Sequence, residues 1–130
     1  MEDHPNAARY RAMADAMSSG EVDMSAMLEG LSDDIEWWEI GRSEPIRGKH
    51  ALVERMQDLA DYTITFDIHD VVANDEHLIA LGTANATKGD QSFEYRTAEI
   101  YHTDPDGKVT HRWAFSDDTQ AIIDFFGGST

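Results

Sequence analysis

Two glutamates in this chain combine a titratable side chain with an apolar setting. Glu39 lies in "DDIEWWEI" (33–40) and Glu99 in "SFEYRTAEIYHT" (92–103). A strand alternates its faces, so Trp37 and Glu39 share one side of the first segment. By the same rule Phe93, Tyr95, Thr97, Glu99 and Tyr101 share one side of the second. Burial beside rings strips water from a carboxyl, raises its pKa and can leave it uncharged near neutral pH. Two such groups with separated pKa values would form an acid and a base able to move a proton. A plainer reading is that each glutamate touches water at a pocket mouth, or pairs with Arg96 or Arg112.

Asp67 and His69 form a second titratable pair, two residues apart in "TITFDIHD" (63–70). Such a pair can act as a base or hold a metal. The alternation also makes both the solvated side of a strand whose apolar side is Ile64, Phe66 and Ile68. There is no cysteine, no His-x-His or His-x-x-x-His spacing, no Gly-rich phosphate loop and no GxSxG. No metal and no cofactor is therefore expected.

The elements that must hold these residues come in two blocks. Residues 4–20 read as a helix with Tyr10, Met13, Ala14 and Met17 on one stripe. Asp23 caps a second, shorter helix with Met24, Met27, Leu28 and Leu31, broken by Ser32 to Asp34. After the strand carrying Glu39, Gly41 to Gly48 reads as loop. A third helix then runs from Lys49 to Asp61, burying Leu52, Val53, Met56, Leu59 and Ala60. From Tyr62 the period turns to alternation, giving strands over 62–73, 77–87, 92–103 and 109–116 with turns at "KGDQ" and "DPDGK". "TQAIIDFF" (119–126) closes the chain as a short helix or strand, before a frayed "GGST". Segregated helices and strands predict an α+β fold, a single domain over 1–130. Three amphipathic helices covering one face of a curled antiparallel sheet would leave a cone-shaped pocket.

The formal charge is −16, from 26 acidic and 10 basic residues. That balance argues against nucleic acid and anionic membranes as partners, since both require a basic footprint. Scarce lysine beside abundant aspartate would suit a salt-rich cytoplasm. No apolar run approaches the ~20 residues of a membrane span, and the N-terminus lacks the basic-then-apolar order of a signal peptide. A cytoplasmic protein is expected.

The order helix, helix, strand, helix, long meander resembles the nuclear-transport-factor-2-like superfamily, which includes ketosteroid isomerases and SnoaL-like polyketide cyclases. The most specific local match is to isomerases that carry a run of the form "DD…D…GSEP…G"; Asp33, Asp34, Ser43, Glu44, Pro45 and Gly48 stand here at compatible spacing. "DGKVTHRWAFSDD" (106–118) is similar to the last long strand of cyclase-like members. The resemblance implies that Glu39 is a general base beside a carbonyl and Glu99 a protonated acid bonding the developing oxyanion. It puts Met13 at the place of the isomerases' first-helix tyrosine, with Tyr10 one turn earlier, and Met56 at that of a second pocket tyrosine. It makes Asp117 the runner-up catalytic residue, although an aspartate at the start of 119–126 also reads as an N-cap.

The pocket is thus expected to hold Tyr10, Met13, Met56, Trp37, Thr97 and Tyr101. The last strand leaves two faces open: Arg112, Ala114 and Ser116, which the resemblance turns to the pocket, or His111, Trp113 and Phe115, which the apolar pattern would bury. Arg112 and Trp113 are both candidates. The expected ligand is a small apolar carbonyl compound and the expected assembly a homodimer through the outer face of the sheet. The alternative is the same fold used as a non-catalytic ligand-binding or protein-interaction module.

Overall fold

The computed structural model describes residues 4–19 and 24–126. The side chains of Met17 and Met24, the Asp23 cap and the "GGST" tail lie outside the described residues. Helices α1 (Pro5–Ser19) and α2 (Met24–Glu29) precede strands β1 (Leu31–Trp37) and β2 (Ile46–Arg47). Helix α3 (Lys49–Asp58) leads into β3 (Thr63–Ala73), β4 (His77–Lys88), β5 (Gln91–Thr103) and β6 (Val109–Ser116), and α4 (Thr119–Phe126) follows. The strands form one sheet in the order β2-β1-β6-β5-β4-β3.

Four expectations change. The sheet is mixed, because β1 runs parallel to β6 while every other pair is antiparallel. Strand β1 starts at Leu31, which buries as a strand residue, and ends at Trp37, so Glu39 lies beyond it. The 41–48 segment is not all loop, since Ile46 and Arg47 pair with Trp37 and Glu36. The helices do not all lie in the N-terminal half: α4 covers the sheet at the chain's other end. Its apolar side is the reason, with Ile122 buried and Phe125 and Phe126 packed with Ala84, Ala86 and Tyr95.

Register explains the concave face. Ala80, Gly82, Ala84 and Ala86 of β4 stand opposite Glu99, Thr97, Tyr95 and Phe93 of β5. A row of small side chains beside a row of large ones lets the large ones lean across the sheet without overpacking. Helix α1 caps one end through Ala7, Tyr10 and Ala14, packed on Val71, Leu78, Ala80 and Tyr101. Leu31, Ile35 and Leu52 form a further core between β1 and α3.

The sheet bends at β3, whose pairing with β4 slips between Ile68 and Asp70. Such a bulge kinks a strand and increases its twist. Gly82 lies against it: a Cβ there would come within 2.6 Å of the Asp67 carbonyl oxygen and 3.1 Å of Ile68 Cα, both backbone atoms. Gly82→Ala is therefore expected to cost about 1–3 kcal/mol through forced backbone movement, read as a lower thermal midpoint. An unchanged midpoint would show that the bulge yields freely.

Candidate functional site

Between the sheet, α3 and α4 lies a cavity of about 640 Å³. Its walls are mostly apolar, with Trp37, Ile40, Met56, Phe66, Tyr95 and Phe126 among them. Five charged side chains interrupt those walls: Glu39, Arg42, Arg55, Glu99 and Arg112. They fall into two ionic groups, one deep and one near the rim.

Glu99 centres the deep group. It sits on β5 between Ala80 of β4 and Ala114 of β6, small neighbours that leave room for its partners. Tyr10, reaching from α1, donates its hydroxyl to Oε1 at 2.6 Å, and Tyr101 donates to Oε2 at 2.8 Å. Arg112 stands opposite Tyr101 across β5 and β6 and reaches diagonally to donate Nη2 to Oε2 at 2.8 Å. Its other terminal nitrogen bonds the Trp38 carbonyl oxygen at 3.1 Å, and its guanidinium lies 4.3 Å from the Trp37 ring centre. The Glu99 side chain is only 5% exposed.

This environment corrects the expected role of Glu99. Burial by itself pushes the carboxyl pKa up, as the apolar setting suggested. The Arg112 charge and the hydrogen bonds from Tyr10, Arg112 and Tyr101 outweigh burial and hold Glu99 below the usual carboxylate range. The surroundings therefore favour its charged form, which accepts hydrogen bonds and does not suit the role of a neutral donor to an oxyanion. Both tyrosines move the other way: burial, with the Glu99 charge beside them, keeps their hydroxyls protonated. Burial likewise pushes the Tyr95 hydroxyl up to about 12. The plainer sequence reading, a glutamate paired with Arg112, describes the geometry.

Glu39 anchors the second group, on the turn after β1. Arg55 of α3 donates Nε to both its oxygens, at 2.9 and 3.1 Å, and Arg42 Nε lies 3.7 Å away. Gly41 makes the intervening turn with φ at +80°, and a Cβ there would meet Ile123 Cγ1 at 2.8 Å, so the rim packs directly on α4.

The other sequence candidates separate. Trp37, Met56, Thr97 and Arg112 line the cavity. Tyr10 and Tyr101 lie behind Glu99 as its donors, their rings 5.4 Å apart. Met13, whose position the resemblance equated with the first-helix tyrosine, packs against the α1 core, and Tyr10 makes the tyrosine contact instead. On β6, Arg112 and Ala114 face inward while Phe115 is exposed. Trp113 belongs to the outer face, in ring contact with His102 and His111. Asp117 accepts from the Arg96 backbone N–H at 3.2 Å and lines a second depression with His69 and Phe115, and it is not among the cavity's lining residues. Asp118, not Asp117, caps α4, accepting from Ala121 N–H at 3.0 Å. Asp67 and His69 are exposed, and among the described residues no three histidine or acidic side chains are placed to hold a metal.

Sequence reasoning missed Arg42, Arg55 and the α4 side chains. Arg55 precedes Met56 and stands three residues after buried Leu52, so helical spacing could have turned it toward Glu39.

A family model described as a SnoaL-like domain matches residues 10–112. No curated protein matches the chain. Among solved structures it is similar to an NTF2-like protein of unknown function from Burkholderia pseudomallei, with TM-score 0.77, 14% identity, and 93% of this chain and 97% of the other covered. It is similar to a putative polyketide cyclase from Xanthomonas campestris pv. campestris, with TM-score 0.73, 18% identity and 96% and 99% covered. A steroid delta-isomerase from Pseudomonas aeruginosa gives TM-score 0.69, 15% identity and 99% and 91% covered. At these identities the likeness establishes the fold.

Removing Glu99's charge would strand Arg112 in the wall. Glu99→Gln is expected to cost about 3–5 kcal/mol, as breaking a buried pair usually does, measured by chemical denaturation. Glu99 has its folded pKa below the ordinary value of 4.5. Its contribution is therefore complete above that ordinary value and is lost progressively as pH falls below it towards the lower folded pKa. The variant should lack this part of the acid sensitivity. A variant as stable as the parent at neutral pH would remove the pair from the fold's support.

Proposed function

The chain belongs to the SnoaL-like domain family, and on that premise we propose that its cavity binds a small apolar carbonyl compound and moves a proton on it. The observation that carries this reading is a carboxylate, Glu39, standing in a largely apolar cavity that also presents an unpaired hydroxyl and a guanidinium. Glu39 takes a proton from the carbon beside the carbonyl. The C–H electron pair becomes the enolate double bond, and the negative charge moves to oxygen. Thr97 and Arg112, on the deep wall, receive that charge. The Thr97 hydroxyl has no hydrogen-bond partner among the described residues, and a buried hydroxyl without one costs about 1–3 kcal/mol. A substrate oxygen would supply the missing acceptor. Returning the proton to another carbon makes an isomerase; attack of the enolate carbon on a second carbonyl makes a cyclase. Glu99 acts through Arg112, which it positions, and carries no proton itself.

A non-catalytic ligand-binding role is the second reading, favoured by one observation: Arg55 holds both oxygens of Glu39. A guanidinium so placed occupies both oxygens that a substrate proton would have to reach. The two readings part on deuterium exchange. β-Tetralone in deuterated buffer, followed by proton NMR, should lose its α-proton signals faster with the protein. Glu39→Gln should reduce that acceleration about 10²–10⁴-fold, the usual worth of a positioned base. Binding without exchange would favour the second reading.

The expected homodimer rests on the outer face. Val72, Ile79, Ile100 and Trp113 are direct cross-strand partners over β3, β4, β5 and β6, and Leu81, Ala98 and Phe115 form a second such row. Val72, Ile79 and Phe115 are exposed. Contiguous apolar surface of this kind marks an interaction site, and a sheet face matches a second copy of itself by two-fold symmetry. Ile79→Asp should convert a dimer to a monomer in sedimentation velocity. A parent chain that sediments as a monomer would end this reading.

A further inference from the structure

The cavity's charge departs from that of the molecule. The chain as a whole carries −16. The cavity lining holds three arginines, Arg42, Arg55 and Arg112, against two carboxylates, Glu39 and Glu99, a local balance of +1. The deep pair is closed: Glu99 and Arg112 meet at 2.8 Å, both largely buried. At the rim, Glu39 is committed to Arg55 at 2.9 Å. Arg42 is the surplus cation. Its Nε lies 3.7 Å from Glu39, beyond hydrogen-bond length, and its side chain is 42% exposed. It is carried on the turn at Gly41, which packs on α4, so the loop that presents it is braced.

We propose that the cavity selects an apolar carbonyl compound bearing a carboxylate, whose anion pairs with Arg42 at the rim while its rings occupy the apolar walls. This rests on the reading of the cavity given above and names its substrate class. The 16 surplus negative charges do not oppose it. Charges spread over the surface are screened within about 8 Å at physiological salt. Arg42 and Arg55 act at contact range, against low-dielectric walls that focus their field. A carboxylate is also an anion whose two oxygens match the fork of a guanidinium. A neutral ligand would leave the rim's positive excess unanswered; a cation would meet it as repulsion.

Naphthoate and naphthamide test this, since they share shape and differ in charge. Titrated calorimetrically into the full chain at neutral pH and low salt, naphthoate should bind about ten-fold more tightly, the worth of one contact-range charge between water-like and surface-like screening. Arg42→Gln should remove most of that preference and leave naphthamide affinity within about two-fold, while Arg42→Lys should keep part of it. Raising salt should shrink the preference in the parent. Equal binding of the two probes by the parent would overturn the inference and leave the apolar-cavity reading standing. A preference that survives Arg42→Gln would overturn the assignment to Arg42. Failure of both probes to bind at millimolar concentration would overturn both the inference and the cavity reading.

Discussion

The ion pair between Glu99 and Arg112 is the contact on which the arrangement of this protein turns, because its two members and their partners tie together almost every layer. Glu99 comes from β5 and Arg112 from β6; Tyr10 brings α1 to them, and the Trp38 carbonyl brings the segment that follows β1. A buried pair is poor value for stability alone, since well-packed apolar side chains of similar volume often do as well. It becomes sounder as the remaining donors and acceptors find partners, which all do here except Arg112 Nε, buried without one among the described residues. Here the carboxylate accepts from two tyrosines and a guanidinium, which fixes where α1 can sit relative to the sheet. Register makes this possible: alanines at Ala80 and Ala114 flank Glu99 and leave the volume its partners fill.

The same economy of small side chains shapes the cavity. Leu78, Ala80, Gly82, Ala84 and Ala86 bury along β4, yet four of these five contribute little or no side chain to fill space. The volume they leave is taken by the aromatic row of β5 and by the helices. A fully packed core of this size would place larger groups there. The bulge in β3 and the absence of a Cβ at Gly82 belong together, since each accommodates the other. Curvature, and with it the space for a ligand, thus comes from a few positions where bulk is withheld.

Much of this was legible in the chain. Alternation identified the four long strands and the inward face of β5, because a period of two survives any uncertainty about neighbours. Helical spacing placed Tyr10 and Met56 on inward faces. What pattern could not supply was partnership. Whether Glu99 is neutral or charged depends on Arg112, thirteen residues away by sequence and on the next strand. Apolar neighbours predicted a raised pKa; one cation and three hydrogen bonds reversed the sign. The last strand defeated the apolar pattern because its outer face is itself apolar, in one row that runs across four strands and a second across three. The parallel β1–β6 pairing escaped for a different reason. It joins the first strand to the last long one, and no local signal encodes a contact across so much chain.

The two ionic groups divide labour in a way that bears on mechanism. The deep group is rigid, since every polar atom of Glu99 and both terminal nitrogens of Arg112 are engaged from different elements. The rim group is simpler: one glutamate on a turn, one arginine on a helix and a second arginine at longer range. A base must give up part of its own stabilisation to accept a proton. A glutamate on a turn, as Glu39 is, can shift its contacts more readily than one in a strand. Protonating Glu99 would leave Arg112 buried without a counter-charge. Two glutamates that look equivalent by composition are therefore unequal in chemistry. The one in the sheet is held by α1 and β6, and the one on the turn is held by α3 through Arg55.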